Sequence, residues 1–179
     1  MSLIKEGDKL PSIVFHTRVR DESIGGDNPF RWQDKTTEDV FKGKTVVLIG
    51  LPGAFTPTCS DNHLPGFDHL AQTMFDYNVD EILCTSVNDA FVMFRWGKAL
   101  GVNNVNMLPD GNGEFAKAIG TLVSMEDIGF GYRSWRYSML VVDGVVEKFF
   151  LEPHMADMSP EDPFEVSDAP TMLLYLKTR

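Results

Sequence analysis

Residues 45–51 read Thr-Val-Val-Leu-Ile-Gly-Leu, β-branched and apolar with no polar alternation. A strand of that kind has no face to give to water and belongs inside a sheet covered on both sides. The rest of the chain must then supply helices for two layers, and it does so by alternation. Helical spacing follows in Leu64, Phe67, Leu70 and Phe75, with Pro65 expected to kink or divide the helix. Strand-like runs at 79–87 and 105–108 bracket a second helix, capped by Asn88-Asp89 and carrying Phe91, Val92, Phe94, Trp96 and Leu100. One or two helical turns are expected at 114–119. Residues 137–142 and 145–150 flank Asp143-Gly144, a pair that favours a two-residue hairpin turn, and a last helix is expected at 171–176.

Ahead of the buried strand, Pro11, Ile13, Val14 and Phe15 mark an edge strand within 9–20. The cluster Gly25-Gly26-Asp27-Asn28-Pro29 turns the chain, and Phe30-Arg31-Trp32 returns as a second short strand. Thr36-Thr37-Glu38-Asp39 opens a short helix in the manner of a capping box, closed by Gly43. Residues 124–134, rich in glycine and charge, show no periodicity and read as a loop. Alternating strands and helices imply right-handed parallel crossovers, to which the closing hairpin adds antiparallel strands. The expected fold is α/β and thioredoxin-like: a mixed central sheet flanked by helices, with an N-terminal hairpin extension.

At 179 residues, 43% hydrophobic and 23% charged, the chain suits one domain spanning 1–179. A net charge of −10 disfavours nucleic acid and anionic membrane surfaces as partners. No run is apolar enough to span a bilayer, and Met1-Ser2-Leu3-Ile4-Lys5 lacks the blocks of a secretion signal, so a cytoplasmic protein is expected. Two cysteines, Cys59 and Cys84, cannot build a disulfide framework, and no Cys-x-x-Cys pair occurs. No metal or cofactor is expected.

Cys59 ends the segment Pro52-Gly53-Ala54-Phe55-Thr56-Pro57-Thr58-Cys59, between the buried strand and the helical pattern. That order puts a thiol in the first turn of a helix at the carboxyl end of a central strand, where open α/β sheets place their sites. Unpaired amides and the positive end of the helix favour its thiolate. The backbone amides of Thr58 and Cys59 and the Thr56 hydroxyl are placed to bind an oxygen-rich substrate, and Pro52 to wall the sulfur from water. A fixed cation is still needed, and Arg133-Ser134-Trp135-Arg136-Tyr137-Ser138 offers two, with Arg95 a weaker choice. His63 shares a helical face with Cys59. No third ligand or orienting carboxylate follows it, so a metal pair or a Cys-His hydrolase is set aside. His69 and His154 read as surface residues and His16 as a strand residue. Cys84, inside an apolar run, reads as a small hydrophobe.

The pattern Pro52-x-x-x-Thr56-x-x-Cys59, extended by Ser60 and by His63-Leu64-Pro65-Gly66-Phe67, resembles the signature loop of the peroxiredoxins. Likeness to the type II subfamily continues through Ser86-Val87-Asn88-Asp89, Pro109-Asp110-Gly111-Asn112-Gly113 and Arg136-Tyr137-Ser138-Met139. The resemblance implies a thiol peroxidase acting on hydrogen peroxide and organic hydroperoxides, with Cys59 as the peroxidatic cysteine cycling through a sulfenic acid. It implies Thr56 and Arg136 as partners of Cys59, Pro52 as its shield, glutathione assisted by glutaredoxin as reductant, and a homodimer. Cys84 falls where plant type II enzymes carry a resolving cysteine. A Cys59–Cys84 disulfide recycled by thioredoxin is therefore an alternative, and that bond would require the Cys59 helix to unwind. Around Gly129-Phe130-Gly131 and Asp162-Pro163-Phe164 the likeness is to bacterial fusions with glutaredoxin. The sequence ends at Arg179 without such a domain, so the electron donor is expected to come from elsewhere. A rival of another class is a thioredoxin-like redox-sensing or binding module.

Overall fold

The computed structural model describes residues 2–179. In chain order the elements are β1 (Val14–Arg20), β2 (Phe30–Thr36), α1 (Thr37–Phe41), β3 (Thr45–Gly50), a π-helical turn (Cys59–His63) running into α2 (Leu64–Asp76), β4 (Glu81–Ser86) and α3 (Ala90–Ala99). There follow β5 (Val105–Pro109), α4 (Glu114–Ile119), β6 (Leu122–Met125), β7 (Gly131–Ser134), β8 (Tyr137–Val142), β9 (Val145–Leu151) and α5 (Ala169–Thr178). Five strands form the central sheet in the order β5-β4-β3-β8-β9, with β4 and β5 parallel to β3 and the β8-β9 hairpin antiparallel to it. This is the mixed sheet the pattern predicts.

The apolar run is buried on both faces, as its composition requires. Val47, Ile49 and Leu51 enter one layer with Leu64, Phe67 and Met74 of α2, Met93 and Trp96 of α3 and Met172 and Leu176 of α5. Val46 and Leu48 enter the opposite layer with Phe41 of α1 and Phe115 and Ile119 of α4. Each such side chain stabilises the fold by about 1.5–3 kcal/mol, and a one-residue slip would exchange the two layers, so the strand's register is firmly set.

Local chemistry fixes the joints. Thr36 and Asp39 form the reciprocal capping box of α1. Asp143 and Gly144 both adopt positive φ, 47° and 76°, as a primed hairpin turn requires. Pro65 has no N–H and its ring would crowd the carbonyl of residue 61. The chain answers with the wide turn, in which the Leu64 amide bonds the Cys59 carbonyl, and not with a break. Three expectations are corrected. Residues 124–134 are not an unstructured loop but the β6-β7 hairpin around a 3₁₀ turn. The second strand of the N-terminal hairpin runs on to Thr36, paired throughout with β1. Of the pair expected to cap α3, only Asp89 does so; Asn88 turns to the Cys59 loop.

Candidate active site

The site lies where β3 ends. Gly50 is paired with Tyr137, the first residue of β8, so the antiparallel register delivers the residue before it, Arg136, to the carboxyl end of β3. Gly50 must lack a side chain, since a Cβ there would sit 2.2 Å from the Tyr137 ring that crosses it. Beyond Gly50 the chain turns through Pro52 to Thr56 and enters a helix whose first bond runs from the Ser60 amide to the Thr56 carbonyl, at 3.0 Å. The amides of Thr58 and Cys59 precede that bond and have no acceptor within the helix.

The turn is tied at each corner. The Thr56 hydroxyl donates to the Gly53 carbonyl at 2.7 Å, and the Ala54 amide to Asn88 Oδ1 at 2.9 Å. Arg133 donates through Nη1 to the Pro52 carbonyl at 3.2 Å and through Nε to the Phe130 carbonyl at 3.0 Å. On the far side of Cys59, Trp96 Nε1 donates to Ser60 Oγ at 3.0 Å.

Cys59 is fully buried, and Arg136 Nη1 lies 3.5 Å from its Sγ. The same Nη1 lies 3.3 Å from His63 Nδ1, while Nη2 donates to Asp162 Oδ1 at 2.6 Å. Arg136 is 1% exposed and its Nε–H has no partner among the described residues. Burial opposes its charge, but the thiolate form of Cys59 and the Asp162 carboxylate more than offset that, and its pKa lies above the ordinary arginine value. Burial and then the Arg136 charge push the His63 imidazole from 6.5 down to about 3, against the pull of its bond to the Ser167 carbonyl at 3.1 Å.

Of the residues expected at the site, Pro52, Thr56, Thr58, Cys59 and Arg136 converge on this loop. Arg133 holds the loop backbone, while Arg95 is exposed and stands apart. His69 and His154 are exposed, and His16 pairs with Asp34 at 2.8 Å on the hairpin. Cys84 lies fully buried on β4 beside Ile49, and burial, then the charge of a Cys59 thiolate, push its thiol well above the ordinary range.

The residues missed in the sequence come from 152–168. The buried Glu152 carboxylate accepts the amides of Glu165 and Val166 at 2.9 Å and of Ser167 at 2.8 Å, plus the Ser167 hydroxyl at 2.7 Å. Its backbone amide bonds the Arg136 carbonyl at 3.1 Å. One side chain thus docks the segment that carries Asp162 and Ser167 onto Arg136 and His63. The stretch Asp162-Pro163-Phe164 was the only hint of this in the sequence.

Comparison with known proteins fits this arrangement. A peroxiredoxin of Synechocystis is 61% identical over 170 residues, covering 95% of this chain and 90% of its own. Peroxiredoxin-2B of Arabidopsis thaliana is 40% identical over 145 residues, covering 80% of this chain and 85% of its own. The crystal structure of reduced Prx3 from Vibrio vulnificus in complex with hydrogen peroxide superposes with a TM-score of 0.81 at 38% identity, covering 97% of this chain and 99% of that one. The Redoxin family profile matches residues 5–173. With the thioredoxin-like sheet and the loop at its carboxyl edge, these likenesses identify the chain as a member of the Redoxin family and, within it, as a type II peroxiredoxin.

Proposed function

We propose that this peroxiredoxin reduces hydrogen peroxide and organic hydroperoxides at Cys59 and is recycled by glutathione, assisted by a glutaredoxin. The observation that carries the reading is the 3.5 Å separation of Arg136 Nη1 from Cys59 Sγ. The Cys59 thiolate attacks one peroxide oxygen in line with the O–O bond. A sulfur–oxygen bond forms, the O–O bond breaks, and the second oxygen departs as hydroxide or alkoxide and takes a proton from water. Arg136 faces both charges, on sulfur in the ground state and on the departing oxygen in the transition state. The Thr56 hydroxyl, whose proton is committed to Gly53, accepts the hydrogen bond of the peroxide O–H, while the Thr58 and Cys59 amides donate to its oxygens and Pro52 keeps water out.

Glutathione thiolate then attacks the sulfenic sulfur, releasing water and leaving a mixed disulfide, and a second thiol reduces that to Cys59 and oxidised glutathione. Resolution by Cys84 is the weaker route. Its sulfur sits on a central strand with its thiol form strongly favoured, so it supplies little thiolate to attack an oxidised Cys59. Exposed Phe55, on the loop itself, supports a homodimer contact there.

Peroxide consumption by the purified protein with glutathione and glutaredoxin, or with thioredoxin, as the sole donor tests the reading. Turnover with the first donor set, retained in Cys84→Ser and absent in Cys59→Ser, is expected. A Cys59 that meets peroxide no faster than free cysteine would favour the sensor reading, and loss of turnover in Cys84→Ser with every donor would refute the glutathione route.

A further inference from the structure

His63 is the residue of the site that the peroxidase chemistry leaves without a task. We propose that His63 is a positioning residue, a hydrogen-bond acceptor that aims the Arg136 guanidinium at Cys59; the inference rests on the peroxidase reading above.

The tautomer follows from the partners. A backbone carbonyl can only accept, so the Ser167 oxygen 3.1 Å from Nε2 requires the proton on Nε2. A neutral imidazole has no second N–H, and Nδ1 therefore presents its lone pair to Arg136 Nη1 at 3.3 Å. Burial and the neighbouring guanidinium hold the ring's pKa at about 3, so it does not protonate and repel Arg136 at working pH. An edge contact with Phe67 and a tilted one with Phe164, at centroid distances of 5.6 and 5.1 Å, fix its plane.

A guanidinium is a rigid planar fork. Asp162, half exposed, pins Nη2, but one pin leaves the fork free to swing about it. The second acceptor, on Nη1, removes that freedom and leaves one N–H of the same nitrogen for the sulfur. Neutrality matters as much as position. Two anions, the thiolate and Asp162, already share one cation. A carboxylate in place of His63 would cancel the charge the sulfur needs, whereas an imidazole orients the cation without neutralising it.

The test compares His63→Asn, whose amide oxygen lies near the Nδ1 position, with His63→Gln, whose amide reaches the Nε2 position and keeps only the Ser167 contact. Each is mixed with hydrogen peroxide and, separately, with iodoacetamide, which alkylates Cys59 without an O–O bond to break. His63→Gln is expected to lose about 10–100-fold in the peroxide step, the scale of a misplacement of about 1 Å, with alkylation much less affected, and His63→Asn to stay near wild type. A wild-type peroxide rate in His63→Gln, or equal losses in both variants or with both reagents, would overturn the role. The ¹⁵N spectrum of the wild-type histidines is a check that needs no variant: the Nε2–H tautomer is expected, and a proton on Nδ1 would refute the proposal. Should the wild-type protein itself react no faster than free cysteine, the peroxidase reading falls instead.

Discussion

Cys59 and Cys84 are both fully buried and both face the apolar layer shared by α2, α3 and α5, yet their surroundings offer the sulfur different hydrogen-bond donors. Cys84 stands in β4 with paired strands on either side, so the backbone groups near it are spent on the ladder. Burial, then the charge of a Cys59 thiolate, outweigh the pull of the Arg136 charge, and its thiol is pushed well up. Cys59 stands in a helix's first turn, where amides remain unspent, with a guanidinium nitrogen 3.5 Å away. Burial therefore does not distinguish the two thiols. The supply of unspent donors does, and a helix start has them where a central strand does not.

The largest effect should come from removing the cation. Arg136→Met is expected to slow the peroxide step by about 10²–10³-fold, the usual loss for one such donor, while Cys84→Ala leaves that step unchanged. Rapid-mixing kinetics on both proteins decide it, and an unimpaired Arg136→Met would show that the guanidinium does not make the contrast.

Next comes acid stability, which involves only the Cys59 side. His63 titrates at about 3 in the fold against 6.5 in an open chain. Between those values the unfolded chain binds a proton that the native state refuses. Stability from this group is complete above pH 6.5 and is lost as pH falls toward 3, by about 1.4 kcal/mol per pH unit. Chemical denaturation at pH 7 and pH 5 should show wild type and Cys84→Ala losing about 2 kcal/mol more than His63→Asn. Parallel losses would place the acid sensitivity elsewhere.

Cys84→Ala itself should cost on the order of 1 kcal/mol at neutral pH, the scale for deleting one heavy atom from a packed core. A much larger loss of stability, or any loss of turnover, would mean that Cys84 does more than fill space. The smallest effect is expected of Gly53→Ala. The new methyl would meet Arg133 Nη1 at 2.6 Å, a flexible side-chain end that can move aside and release the Pro52 carbonyl. The cost should be on the order of 0.5 kcal/mol, read as a small drop in peroxide rate. An effect as large as that of Arg136→Met would put Arg133 on a level with it.

How much of this was legible follows from the range of each interaction. The buried strand, its alternating partners, the Asp143-Gly144 turn and the thiol at a helix start are local patterns and could be read directly. The β6-β7 hairpin could not, because strands of four residues around Gly129 and Gly131 leave no period to detect. The spacing of His63 from Cys59 was visible, but its partners Arg136 and Ser167 lie 73 and 104 residues away and only the folded chain brings them together. The 152–168 segment was least legible. Its order comes from hydrogen bonds to one carboxylate, and no spacing of apolar residues records that.

That carboxylate has a consequence for how mutations in this protein should be read. The Glu152 carboxylate bonds neither the sulfur nor Thr56, yet its two oxygens hold the turn that supplies the Ser167 carbonyl, and its backbone is bonded to that of Arg136. A change as slight as Glu152→Gln would be felt as a lesion of the reactive centre. Surveys that rank positions by their distance from Cys59 would pass over it, and loss-of-function screens would not.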